Sequence, residues 1–289
     1  GMENFPYLMT TWLKNKKMKD ELSIRMKENY ENRTRLYLPR RTYTLLRVDG
    51  KCFSNYTKGL FKPFDIGFVS DMDATAMYLC KNIQGAEFAF VQSDEISILL
   101  TDFKTPSTDA WFDGNVQKMC SISASMATAK FNQLRMLRFV NDKLVNGTDK
   151  ITELYVEKLT KIKLAEFDSR VWTIPSRTEV INYFIWRQQD TVRNSISSVA
   201  QSLYSHRELE FKNQDQMQEM CFQKGVNWND IDPKLKRGRF IHKVKRELLQ
   251  ENPKTGSIES YQRSVWISDE CPIFTQDKEF LLTKIPVLE

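Results

Sequence analysis

The order of strand-like and helix-like stretches over the first 175 residues constrains this chain more than any single motif. Residues 42–48 (TYTLLRV) are β-branched and apolar and stop at Asp49-Gly50, as a strand entering a turn does. Apolar residues then recur at Phe68, Met72, Ala76, Leu79 and Cys80, which predicts a helix over 64–82 with Asp65 placed to cap it. Residues 87–92 and 96–100 flank Ser93-Asp94-Glu95 as a β-hairpin with those three in the turn. A long helix is predicted over 115–140, where Ser121, Ser125 and Thr128 suit close packing. Residues 167–174 read as a strand ended by Pro175, and helical patterning follows from 177 to 205. The order is β-α-β-β-α-β, the split βαβ, ferredoxin-like arrangement of an α+β fold with an antiparallel sheet.

A charged helix over 11–35 leads into this core, and 206–289 add further strands or helices to it. The expected division is 1–140, an insertion at 141–164 that is charged and contains Asn146-Gly147, a return to the core over 165–205, and a C-terminal extension over 206–289.

With 41% hydrophobic and 28% charged residues, the 289-residue chain has an ordinary globular composition. No apolar run reaches the roughly 18 residues of a spanning helix, so no membrane role is expected. Gly1 ahead of Met2 reads as an expression-tag remnant, and residues 5–12 are too short and polar-flanked for a signal peptide. Cys52, Cys80, Cys120, Cys221 and Cys271 are scattered without Cys-x-x-Cys spacing, which fits a reducing cytoplasm rather than a disulfide or zinc framework. His206 and His242 stand apart, so neither a histidine metal site nor a histidine-based triad is expected. The net charge is +6. Positive residues gather at Lys14, Lys16, Lys17 and Lys19, at Arg33, Arg35, Arg40 and Arg41, and at Lys234, Lys236, Arg237, Arg239, Lys243, Lys245 and Arg246. Such groups attract a phosphate backbone or are simply solvated faces.

In this topology Asp49 at the end of the first strand and Asp94-Glu95 at the hairpin converge on one edge of the sheet. Carboxylates so placed repel one another, and magnesium, which takes oxygen ligands and keeps positions for phosphates, relieves that repulsion. Gly50 lets the backbone approach a metal or phosphate, and its carbonyl is a candidate ligand. Lys51, Cys52, Phe53 and Ser54 then offer backbone N–H groups to a triphosphate. On pattern alone, strand-Asp-Gly is as well an ordinary turn and Ser-Asp-Glu a solvated one.

The stretches 47–65 (RVDGKCFSNYTKGLFKPFD) and 90–100 (FVQSDEISILL) resemble the histidine-tRNA guanylyltransferase family and its bacterial and archaeal relatives. SASMATAKFN (123–132), FDSRVW (167–172), WRQQD (186–190) and NWND (227–230) continue the match in order across most of 40–240. The resemblance implies a polymerase-palm core that extends RNA at its 5′ end, with the C-terminal part contributing to tRNA binding or oligomer contacts. It carries over Asp49 and Asp94 as carboxylates for two Mg2+ ions, with Gly50 as a further ligand. Residues 49–54, Ser93 and Asp94 become the triphosphate site, Lys62 lies near the phosphates, and Arg47 contacts a second nucleotide. Glu95 matches a nearby acidic position in the catalytic set. The implied substrates are tRNA, ATP, and GTP or other nucleoside triphosphates, and the implied assembly is a homotetramer.

One departure bears on the reaction. Eukaryotic members carry His-Ile-Asn-Asn-Leu-Tyr-Asn after Trp-Arg-Gln, whereas 191–196 here read Thr-Val-Arg-Asn-Ser-Ile, with Val192 in the histidine's place. This is similar to bacterial-type relatives linked to templated repair of 5′-truncated tRNA. The alternatives are strict addition of G to histidine tRNA, a nucleotide cyclase sharing the carboxylate pair, and a non-catalytic RNA-binding module.

Overall fold

The structure is a computed structural model that describes residues 21–145, 163–251 and 256–288. The first lysine cluster, the start of the helix expected from residue 11, and most of the expected insertion lie outside the described residues. Within them, β1 (Tyr43–Gly50), β2 (Ala86–Gln92), β3 (Glu95–Leu100), β4 (Phe167–Ile174), β5 (Arg239–Glu251) and β6 (Ile258–Glu270) form one sheet in the order β4-β1-β3-β2-β5-β6. Every neighbouring pair is antiparallel. The first four strands, with helices between β1 and β2 and between β3 and β4, have the β-α-β-β-α-β order read from the sequence. The β5–β6 ribbon continues the same sheet from the β2 edge.

A short turn of helix, α1 (Phe53–Tyr56), follows β1, and α2 (Ile66–Asn82) and α3 (Val116–Val145) cover one face of the sheet. Phe68, Met72, Ala76 and Leu79 of α2 and Met119, Ala127 and Phe131 of α3 bury against Leu46, Val48, Ile96, Ile98 and Ile241. The other face carries α4 (Arg177–Leu203), whose Val180, Ile181, Tyr183 and Phe184 bury against Tyr43, Leu45, Phe88, Phe90, Leu99 and Phe240. A sheet covered on both faces needs apolar residues at both strand parities, and all six residues of β3 are buried. The far half of α4 packs with α5 (Gln214–Gln223) around Ile196, Val199, Cys221 and Trp228. Two short helices, α6 (Pro233–Lys236) and α7 (Lys278–Lys284), complete the elements used below.

Asp65 caps α2 as its sequence position suggests, accepting a hydrogen bond from the Phe68 N–H at 2.7 Å, an interaction worth about 1 kcal/mol. Three readings are corrected. Asp49 and Gly50 do not leave the strand: they pair with Asp168 and Phe167 of β4, and the turn falls at Lys51-Cys52. Glu95 is not in the hairpin turn, which holds only Ser93 and Asp94, but opens β3 opposite Asp49. The small residues that bring α3 close to the sheet are the fully buried Ser123 and Ala127, one turn apart, whereas Ser121 and Ser125 are exposed.

No described helix is long and apolar enough to cross a membrane. All five cysteines are free. His242 pairs with Asp269 at 2.9 Å on the ribbon. The second and third basic groups are largely engaged within the protein. Arg40 is bound by Asp102, Asp109 and Asp113, Lys236 is buried with its Nζ on the Asn229 carbonyl, and Arg239 is buried on Asp73.

Candidate functional site

Four acidic residues meet at one end of the sheet because the strand registers place them there. Asp49 stands between Glu95 of β3 and Asp168 of β4. The hairpin turn brings Asp94 alongside, and its carbonyl accepts from the Gly50 N–H at 3.2 Å. The charges act on one another. Burial pushes the Asp94 carboxyl up to about 6, with Asp49 and Glu95 adding to the rise, while hydrogen bonds from its own backbone and Ser93 oppose it. The half-buried Asp49 is raised as well, by burial first and then by Glu95; Arg47 opposes this, Asp168 adds to it, and Arg170 opposes it. Arg170 Nη2 lies 3.9 Å from Asp49 and 3.5 Å from Asp168.

Glu95 is in a different electrostatic position from the two aspartates. Both of its oxygens accept from Arg187 of α4, Nε at 2.8 Å and Nη2 at 2.7 Å. Ser97 Oγ donates to it at 3.2 Å, and that hydroxyl shares a 2.8 Å hydrogen bond with Tyr183. Arg47 approaches to 4.0 Å, and its Nε is buried without a hydrogen-bond acceptor. With its lone pairs directed at a buried guanidinium, Glu95 holds the framework behind Asp49. Among the described residues, no three Asp, Glu, His or Cys side chains gather at metal-ligand spacing. Asp49 and Asp94 are two carboxylates of this end that no buried guanidinium among the described residues holds in a two-point grip.

The segment after β1 is fixed by an aromatic cluster. Phe53 is buried, its ring 4.9–6.0 Å from those of Tyr56, Phe68, Phe131 and Phe167. A Cβ on Gly50 would lie 2.3–2.6 Å from that ring, so Phe53 packing by itself requires a glycine here. Of the expected N–H donors, that of Lys51 is already bound to the Glu166 carbonyl at 2.8 Å, and the Lys51 Nζ meets the Glu166 carboxylate at 2.6 Å. Cys52 has left-handed backbone (φ 55°) and precedes α1, whose leading N–H groups have no acceptor inside the helix. Phe53 contributes only backbone, since its side chain is core.

Ser54, Lys62 and Ser93 line a cavity of about 310 Å³ that opens beside the acidic end. Its walls come from the loop before α2, from Asn194, Ser198 and Gln201 on α4, and from Leu235 and Arg239 at the root of the ribbon. The structure thus brings Asp49, Gly50 and Asp94 together and sets Ser54, Lys62 and Ser93 around one cavity. Glu95 sits behind this arrangement, and Lys51 turns outward. Sequence reading missed Asp168, Arg187, the α4 wall and Arg239. For Asp168 a signal existed, because Asp168 and Arg170 alternate along β4 on the face that Asp49 shares.

The family profile described as tRNAHis guanylyltransferase matches residues 24–175. The chain belongs to the tRNAHis guanylyltransferase family, whose members are nucleotidyltransferases. A bacterial tRNA(His) guanylyltransferase-like protein solved in complex with ATP is 39% identical, with a TM-score of 0.74 over 92% of this chain and 99% of that one. Another such structure, in complex with GTP, is 39% identical with a TM-score of 0.68, covering 90% and 96% of the two chains. The tRNA(His) guanylyltransferase of Debaryomyces hansenii is 25% identical across 78% of this chain and 87% of that protein. The family match spans β1 to β4, and hence every residue of the acidic end. Val192 packs its side chain against the Ile196–Trp228 cluster.

Proposed function

We propose that this member of the guanylyltransferase family repairs tRNA 5′ ends, activating a 5′-monophosphate with ATP and adding nucleotides templated by the opposing base. The observation that supports this reading is the cavity lined by Ser54, Lys62 and Ser93, the last of which shares the β2–β3 turn with Asp94. A nucleotide seated there has its base in the cavity and its phosphates at the acidic end.

Asp49 and Asp94 are hard oxygen donors whose charged forms are penalised by burial and by neighbouring carboxylates, the condition that a magnesium ion relieves. Together with the Gly50 carbonyl they are the residues that would hold it. Bound there, two such ions supply neutralisation of phosphate charge and a more acidic attacking hydroxyl.

The chemistry is displacement at phosphorus, governed by positioning. A tRNA 5′-phosphate oxygen attacks the α-phosphorus of ATP, pyrophosphate leaves, and the 5′ end is adenylylated. The 3′-hydroxyl of the incoming nucleoside triphosphate then attacks the 5′ phosphorus and AMP leaves. Pyrophosphate is finally removed from the new 5′-triphosphate. Ser54, Ser93 and Lys62 orient and neutralise the phosphates, Glu95 with Arg187 holds β3 in register behind Asp49, and Arg47 faces the second nucleotide. By family resemblance the working form is a cytoplasmic homotetramer.

Val192 supports templated rather than obligatory G addition, since an apolar side chain packed in the α4–α5 cluster replaces the histidine. The test is a 5′-labelled, 5′-monophosphorylated tRNA lacking its first nucleotide, incubated with magnesium, ATP and each nucleoside triphosphate in turn. Extension by the complementary nucleotide alone, lost in Asp49→Ala and Asp94→Ala, supports the proposal. Acceptance of GTP whatever the opposing base overturns templating, and binding without extension overturns catalysis.

A further inference from the structure

Arg239 opens β5, and its place there is set by Gly238 (φ +87°), where a Cβ would meet the Phe90 ring at 2.5 Å. The side chain is 98% buried (2% exposed) and turns toward α2, where Nε donates to Asp73 Oδ1 at 2.7 Å. The other oxygen of Asp73 accepts from Ser268 Oγ at 2.7 Å, so the guanidinium is locked in one orientation. Its Nη2 is buried with no hydrogen-bond partner, and the residue forms part of the cavity wall. A buried charged donor without an acceptor is costly and rare, and in a pocket wall a ligand acceptor is the natural remedy.

Two features indicate what the acceptor is. Asp73 already balances the guanidinium charge, so the remaining N–H suits a neutral acceptor better than a second anion. The cavity it lines carries Leu60, Pro63, Phe64, Phe68 and Leu235 among polar groups, apolar surface against which a ring system can pack. Arginine N–H groups pair with the N7 edge of purines, an edge that pyrimidines lack. Resting on the nucleotide-binding reading above, we propose that Arg239 is a specificity-determining residue that donates from Nη2 to N7 of the activating nucleotide's purine base seated in this cavity, so that this seat, unlike that of the templated nucleotide, prefers purine over pyrimidine triphosphates.

The experiment is equilibrium binding to the full chain with magnesium present, using GTP, 7-deaza-GTP (which lacks the N7 acceptor), CTP and inorganic tripolyphosphate. The expected result is GTP binding about tenfold tighter than 7-deaza-GTP or CTP. In Arg239→Met that preference disappears while tripolyphosphate affinity is unchanged. The 7-deaza comparison on the unsubstituted protein needs no variant, so it holds even if Arg239→Met folds poorly. Equal binding of GTP and 7-deaza-GTP overturns the assignment, as does an Arg239→Met variant that loses tripolyphosphate and GTP alike, since Arg239 would then hold phosphate. If tripolyphosphate binds and bases add nothing, the base assignment falls and the phosphate end stands. If folded protein binds neither tripolyphosphate nor GTP, the nucleotide reading falls with it.

Discussion

Arg187 grips both oxygens of Glu95, at 2.8 and 2.7 Å, joining α4 to the first residue of β3 across 92 positions of sequence. Both side chains are buried, and Arg187 also reaches Asp190 at 3.0 Å. Taking two charges out of water gains little over an apolar pair, but removing one partner strands the other. Glu95→Gln is therefore expected to destabilise the fold by roughly 3 kcal/mol. Arg187→Lys fails to substitute, because an ammonium cannot span both oxygens. Urea unfolding of the two variants checks this, and a Glu95→Gln protein of unchanged stability would refute it.

Asp94 sets activity against stability. Its folded carboxyl titrates near 6, above the ordinary aspartate value of 3.8, so folding takes up a proton between those values. The stabilising contribution is full below about pH 4 and is lost as the pH rises through about 6, amounting to roughly 3 kcal/mol by pH 7. Asp94→Asn is expected to raise stability at pH 7 by a large part of that amount, to flatten the profile between pH 4 and 7, and to abolish extension. Unfolding of both proteins in chelator across this range decides it; a variant less stable at pH 7 contradicts the account.

Gly50 and Phe53 pack directly on each other at the start of the segment that follows β1. Gly50→Ala drives a methyl into the Phe53 ring, and overpacking of this kind costs about 1–3 kcal/mol. Pairing it with Phe53→Leu is expected to restore part of the loss. A melting series on the single and double variants measures the recovery, and strictly additive losses would speak against direct contact.

Asp168 adds negative charge opposite Asp49 from a largely exposed side chain. Asp168→Asn is expected to weaken cation attraction by roughly 1 kcal/mol, raising the magnesium concentration for half-maximal extension about fivefold. A magnesium titration of extension rate, with ATP saturating, reads this directly. An unchanged midpoint would place Asp168 outside the site's field.

What sequence disclosed and what it concealed divide along physical lines. The β-α-β-β-α-β order was legible because period-two and helical spacings survive in the sequence, and Asp49 and Asp94 because they sit at element ends. Glu95 was misplaced because Ser93, Asp94 and Glu95 are all polar and nothing local marks where a two-residue turn stops. Its partner Arg187 lies on a helix 92 residues further on, and its own burial is invisible without that helix. Arg239 looked like one cation among seven; its carboxylate partner, Asp73, is 166 residues away. Local pattern records what a residue is, whereas pairing across the fold records what it is free to do.

Beyond His242, the last residue of β5 paired with β2, the ribbon runs on from Lys243 to Glu251 beside β6 alone. At the rise of a strand this is about 30 Å of two-stranded arm. In mechanical terms it is a beam clamped at one end, and the clamp is Asp73, gripped by Arg239 from one strand and Ser268 from the other. A bending moment applied at the tip is resisted at α2, the helix whose first turn contributes Phe68 and Val69 to the cavity wall.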